Sequence, residues 1–169
     1  QIDSLLKQAN LRLGDLHGLA FGAGPGSFTG VRIAAGVAQG LGLGANLPVL
    51  GVCTLLALAQ ASGGNKVIAC LDARMGEVYG GAYAWHEARA QWQAVLPLCV
   101  GPPAHVAQAL ITDHAASGVL AGNGFEVYAD AFSGALATHR NTPVACVPAV
   151  PHALALLRLA PALWSAGKA

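Results

Sequence analysis

The sequence predicts an α/β protein organised in two lobes, and three observations carry that prediction. A short apolar segment, Leu19-Ala20-Phe21, runs into the glycine-rich stretch from Gly22 to Arg32. Small and aliphatic residues follow from Val31 to Ala45, the order of a strand, a turn and a helix. After the break Ser62-Gly63-Gly64-Asn65 the texture changes to strand-like segments, Lys66 to Leu71 and Glu77 to Trp85, with Val78, Tyr79 and Tyr83. Leucines at 154, 156, 157, 159 and 163 then mark a closing helix over 151–166. The first lobe is expected from residues 1–62 plus 151–169, and the second from 66–150.

Taken in order, residues 1–11 read as a helix with Ile2, Leu5, Leu6 and Ala9 on one face. The chain begins without Met or a helix cap, as a fragment would. A strand is expected around His17 to Gly22 and a helix from Gly30 to about Leu43. A buried strand, Val49-Leu50-Gly51-Val52, follows Pro48, and Thr54 to Ala61 is helical. Lys66 to Leu71 and Glu77 to Trp85 make a hairpin about the turn Asp72 to Gly76, with Gln91 to Val100 as a third strand. Pro102 and Pro103 open a helix through about Ile111, since proline suits a first helical turn. Gly118 to Gly122 is a short strand and Phe125 to Phe132 a helix.

Composition excludes several classes. Hydrophobic residues make up 54% and charged residues 10%, far from the composition of a disordered chain. So little charge implies apolar surface that meets a partner. The net charge is +1 with no basic run, which disfavours a strong grip on a phosphate backbone. Cys53, Cys70, Cys99 and Cys146 are far apart in apolar contexts, as buried free thiols of a reducing cytoplasm would be. Residues 33–65 carry no charge, but Pro48, Asn46, Gln39 and seven glycines argue for a buried α/β core rather than a membrane span.

The glycine-rich turn has two readings. It is either an anion cradle of backbone N–H groups at a helix start, or a tight corner that lets a helix pack closely. A Walker A loop needs Lys then Ser or Thr after its last glycine, whereas Gly30 is followed by Val31 and Arg32. The dinucleotide pattern G-x-G-x-x-G fails at Ser27 counting from Gly22 and at Thr29 counting from Gly24. The nucleophile pattern G-x-S-x-G fails at Thr29. Ser27 and Thr29 are instead candidates to cap the helix that follows.

Two further features carry chemistry. Asp72-Ala73-Arg74-Met75-Gly76-Glu77 is the densest charge cluster; Asp72 can pair with Arg74 across the turn, or hold a magnesium ion or a partner's arginine, and a structural or interface role for Asp72, Arg74 and Glu77 is favoured. Gly36, Gly40 and Gly44 recur every fourth residue. Each costs a helix about 1 kcal/mol relative to alanine, which a close helix–helix contact would offset. Of the six histidines none pairs at i, i+4, and the zincin-like start His86-Glu87 ends at Ala90, so no metal site is expected.

Gly24-Pro-Gly-Ser-Phe-Thr-Gly-Val-Arg-Ile33, Gly51-Val-Cys-Thr-Leu55 and Leu71-Asp-Ala-Arg-Met-Gly-Glu-Val-Tyr79, in this order and spacing, resemble the TsaB (YeaZ) family. The resemblance implies the actin-like, Hsp70-like (ASKHA) two-lobe fold, with the N-terminal strands absent and the fold incomplete at both ends in this chain. It implies a cytoplasmic, non-catalytic accessory subunit, with no cofactor bound by this chain alone. Family members pair with a catalytic paralogue, TsaD, in forming N6-threonylcarbamoyladenosine at position 37 of tRNAs reading ANN codons. A small ATPase, TsaE, joins that complex. ATP and metal are expected in the partner subunits, tRNA contact is indirect, and a homodimer forms in isolation. On this reading the partner interface comprises Leu5, Gly26, Ser27, Phe28, Thr29, Gly30, Arg32, Ile33, Gly36 and Gly40, with no catalytic residue. The alternative is a nucleotide-binding enzyme of the actin or sugar-kinase type that uses the glycine-rich turn for phosphate.

Overall fold

The computed structural model describes residues 1–114, 118–137 and 145–167, without the side chains of 112–114. Its elements are α1 (Ile2–Gln8), β1 (Leu19–Gly22), α2 (Phe28–Ala45), β2 (Val49–Val52), α3 (Thr54–Ser62), β3 (Lys66–Arg74), β4 (Glu77–His86), β5 (Gln91–Gly101), α4 (Pro103–His114), β6 (Val119–Ala121), α5 (Gly124–Val127), α6 (Ala129–Ala137), β7 (Ala145–Val147) and α7 (Ala153–Ser165). His139 lies outside the described residues.

The strands form two sheets. β1 and β2 pair in parallel, Leu19 opposite Val49 through Gly22 opposite Val52, with α2 as the crossover. The second sheet has the order β5-β4-β3-β6-β7. β3, β4 and β5 are an antiparallel meander, whereas β6 and β7 run parallel to β3 and to each other. β7 has no counterpart in the sequence reading, because three residues, Ala-Cys-Val, carry too little periodicity to mark a strand. The edge strand β5 carries Pro97, which cannot donate to an added strand.

Three apolar clusters fill the molecule. On one face of the large sheet, Ile68, Cys70, Val78 and Ala82 pack beneath Val106, Leu110 and Ile111 of α4, with Phe125 and Phe132 meeting edge to face at 4.7 Å. Gly80 allows that approach: a Cβ there would lie 2.7 Å from both Leu110 and Val106. On the other face, Leu55, Leu58 and Ala59 of α3 cover Val67, Ala69, Tyr83 and Ala121. The far side of α3 gives Ala57 to the third cluster, with Leu50, Val52 and, from α7, Ala155 and Leu159. α3 is therefore buried from two sides, which explains its apolar, charge-free sequence.

Several boundaries shift from expectation. α1 is shorter than residues 1–11 and buries no residue. The helix expected over 125–132 is two helices broken at Tyr128, whose backbone leaves the helical region at φ −122°, ψ 39°. α7 continues through Pro161, and its N-terminus is capped by His152, whose Nδ1 accepts from the Ala155 N–H at 3.3 Å. No described helix is long and apolar enough to cross a membrane.

Candidate functional site: the outer face of α2 and the β3–β4 turn

The glycine-rich turn is a corner tied to the neighbouring strand and helix. The Ala23 N–H donates to the Val52 carbonyl at 2.9 Å, and the Thr54 N–H donates to the Gly24 carbonyl at 2.7 Å. These bonds clamp the end of β1 to the junction of β2 and α3. Gly24 has φ +98°, a conformation that a side chain would resist, and a cis bond joins it to Pro25. Ser27 caps α2: its Oγ accepts from the Gly30 N–H at 3.3 Å. Thr29 does not cap. α2 begins at Phe28, one residue ahead of Thr29, so the threonine is already inside the first turn.

Beyond the corner α2 has two unlike faces. Ala38 and Gly42 face inward, and a Cβ on Gly42 would collide with Val49 and lie 3.0 Å from the Leu47 carbonyl. Gly36, Gly40 and Gly44 face outward, where an added Cβ would meet nothing within 4 Å. Beside them Ile33 is 61% exposed, Val37 46% and Leu43 88%. At the N-terminal end Phe28 is 75% exposed, and the Arg32 guanidinium lies 3.3 Å from its ring centroid. Gly26, Ser27, Thr29 and Gly30 are exposed at the same end. The glycine row and the exposed side chains thus share one apolar face with a shallow backbone groove along it. Leu5 is also exposed, on α1, the one member of the expected interface set outside the turn and α2.

The β3–β4 turn gathers a second group. Arg74, Met75 and Gly76 all have φ between +54° and +78°, and the non-glycine pair costs roughly 1–2 kcal/mol per residue. Asp72 holds that turn. Its Oδ1 accepts from the Arg74 N–H at 2.9 Å and from the Tyr128 hydroxyl at 3.0 Å, and its Oδ2 lies 3.3 Å from Arg74 Nη1. The Asp72 N–H donates to Asn123 Oδ1 at 3.1 Å. The Asp72 side chain is only 8% exposed, and donors of its own chain surround its carboxylate. Glu77 stands outside this network, exposed and without an ion pair among the described residues. Tyr128 and Asn123 are absent from the expected set. Each lies more than fifty positions from Asp72, and no local spacing signals such a contact.

Titratable groups near the core favour their neutral forms. Burial pushes the Cys70 thiol up to about 12, and burial also raises the Tyr83 phenol, which sits 3.6 Å from Cys53 Sγ. Tyr128 is raised by burial and then by its hydrogen bond to Asp72. Cys70 is therefore a packing thiol at neutral pH. Among the described residues no three His, Cys, Asp or Glu side chains gather as a metal site.

The chain is similar to known proteins over most of its length. The family model of TsaD, tRNA N6-adenosine threonylcarbamoyltransferase, matches residues 1–147. The tRNA threonylcarbamoyladenosine biosynthesis protein TsaB of Haemophilus influenzae is 37% identical over 169 residues, covering 94% of this chain and 67% of that protein. TsaB of Escherichia coli is 48% identical over 95 residues, covering 50% of this chain and 41% of the relative, so that match spans less than half of the relative's length. The solved structure of YeaZ from Pseudomonas aeruginosa superposes with a TM-score of 0.82 at 37% identity, over 99% of this chain and 75% of the other. With the mixed α/β sheets described above, these likenesses fit the actin-like fold.

Proposed function

The chain belongs to the TsaB (YeaZ) family of tRNA threonylcarbamoyladenosine biosynthesis proteins, and on that premise we propose that it is a non-catalytic subunit that binds and activates the TsaD catalytic subunit. One observation carries the reading. The outer face of α2 exposes Ile33, Val37 and Leu43 around a glycine row where, among the described residues, an added Cβ would meet nothing within 4 Å. Three glycines in one helix lower its stability unless another helix uses the groove they leave. A paralogue with an equivalent helix fills such a groove, and a second copy of this chain fills it in isolation.

In this role the protein contributes a docking surface, and the reacting groups belong to its partner. ATP and metal are held by the partner subunits, TsaE joins the assembly, and tRNA is reached indirectly in the cytoplasm. The product is N6-threonylcarbamoyladenosine at position 37 of tRNAs reading ANN codons.

Gly40→Leu tests the surface. The new side chain points into open space in the isolated chain and replaces a poor helix former, so the fold is retained. In the complex it fills the groove. The expected result is a folded variant that no longer co-elutes with the catalytic subunit on size exclusion. Undiminished co-elution sinks the assignment.

A further inference from the structure

A pocket of about 60 Å³ lies where the end of the β4–β5 hairpin meets α3 and α7. Leu159 and Leu163 form its apolar floor, and Gln60, Trp85, Trp92 and Arg158 supply its polar and aromatic walls. Trp85 and Trp92 meet edge to face, with ring centroids 5.7 Å apart.

Hydrogen-bond direction decides what this pocket accepts. The Trp92 Nε1–H donates to Gln60 Oε1 at 3.0 Å. An indole nitrogen is only ever a donor, so this bond orients the Gln60 amide and leaves its NH2 group as the remaining donor. Arg158 adds a guanidinium, which has five donors and no acceptor. No carboxylate lines the pocket, and among the described residues Arg158 has no ion pair. The volume is several times the roughly 10–15 Å³ of such space that one water needs, which leaves room for a carboxylate group.

We propose that this pocket binds a carboxylate, with Arg158 and the Gln60 amide donating to its oxygens and the Trp85–Trp92 pair closing one side. The carboxylate belongs either to a small organic acid or to an acidic side chain of another protein; the recognising chemistry is the same. The pocket is formed by α3, α7 and the hairpin rather than by α2, so the proposal is independent of the α2 reading.

The three tryptophans give the readout, as indole N–H signals of the ¹⁵N-labelled full chain. The probes are sodium acetate and, separately, a terminally blocked peptide with a single glutamate, each against sodium chloride at equal ionic strength. The expected result is a saturable shift of the Trp85 and Trp92 signals with at least one probe. Trp164 packs against Gly18 instead and stays unmoved. Saturation by acetate alone marks a small-acid site, and saturation by the peptide alone marks a protein contact; both support the proposal. Arg158→Gln, at an exposed position of α7, is expected to weaken binding at least tenfold. Gln60→Glu keeps an oxygen for Trp92 but replaces the donor with a negative charge, and is expected to abolish binding. The proposal is overturned if neither probe saturates, if chloride gives the same shifts, or if both variants titrate like the native chain.

Discussion

The Tyr128 hydroxyl donates to Asp72 Oδ1 at 3.0 Å across 56 positions of sequence, and this one bond joins the break between α5 and α6 to the left-handed turn of the β3–β4 hairpin. Asp72 holds Arg74 in its unusual backbone conformation, and Tyr128 holds Asp72. Asp72 of the charge cluster is thus a brace for the hairpin, with the exposed Arg74–Met75 tip projecting from it and Glu77 outside the network.

Tyr128→Phe removes that hydrogen bond while keeping the ring. Asp72 retains both contacts to Arg74, so the loss of stability is partial. Urea denaturation is expected to show a lower midpoint with an unchanged slope. An unaltered midpoint refutes the brace.

The two faces of α2 give opposite outcomes for the same substitution. Gly36→Ala enters open space and raises the stability of the isolated chain by up to about 1 kcal/mol. Gly42→Ala drives a methyl into Val49 and towards the Leu47 carbonyl, an overpacking that costs about 1–3 kcal/mol. Thermal melts of both variants compare the signs directly. Equal signs overturn the assignment of faces.

Alkaline pH is expected to destabilise the fold. Cys70, Tyr83 and Tyr128 are all raised in the folded state, which therefore favours their protonated forms. Stability from such groups is complete below their unfolded values and is lost as pH rises through the folded ones. For Cys70 that window opens near the ordinary thiol value of about 8.5 and extends to about 12. Melting temperatures measured from pH 7 to 11 are expected to fall above about pH 9. In the native state a thiol reagent is expected to modify exposed Cys146 promptly and Cys70 only on unfolding. Rapid native labelling of Cys70 contradicts its burial.

Much of the chain was legible because local physics repeats along it. The turn at Gly24 to Ser27, the Ser27 cap, β2, α3 and the β3–β4 hairpin follow from backbone freedom, capping chemistry and apolar patterning within a few residues. The spacing of Gly36, Gly40 and Gly44 marked one helix face by periodicity alone. What periodicity could not decide was which way that face turns, because inward and outward small residues look alike in sequence. Gly42 and Ala38 meet β2 and the interior, while an added Cβ on the glycine row would meet nothing within 4 Å among the described residues, and only the packing of α2 on the two-stranded sheet distinguishes them. The same holds for Asp72 with Tyr128 and Asn123, and for Trp92 with Gln60 beside Arg158. These groups lie tens of residues apart and acquire their roles from chain crossings. The sequence by itself determined most of the elements and the family; the tertiary structure decided that the glycine-rich turn is a corner and which side chains share a site, because hydrogen bonds and burial depend on distance in space.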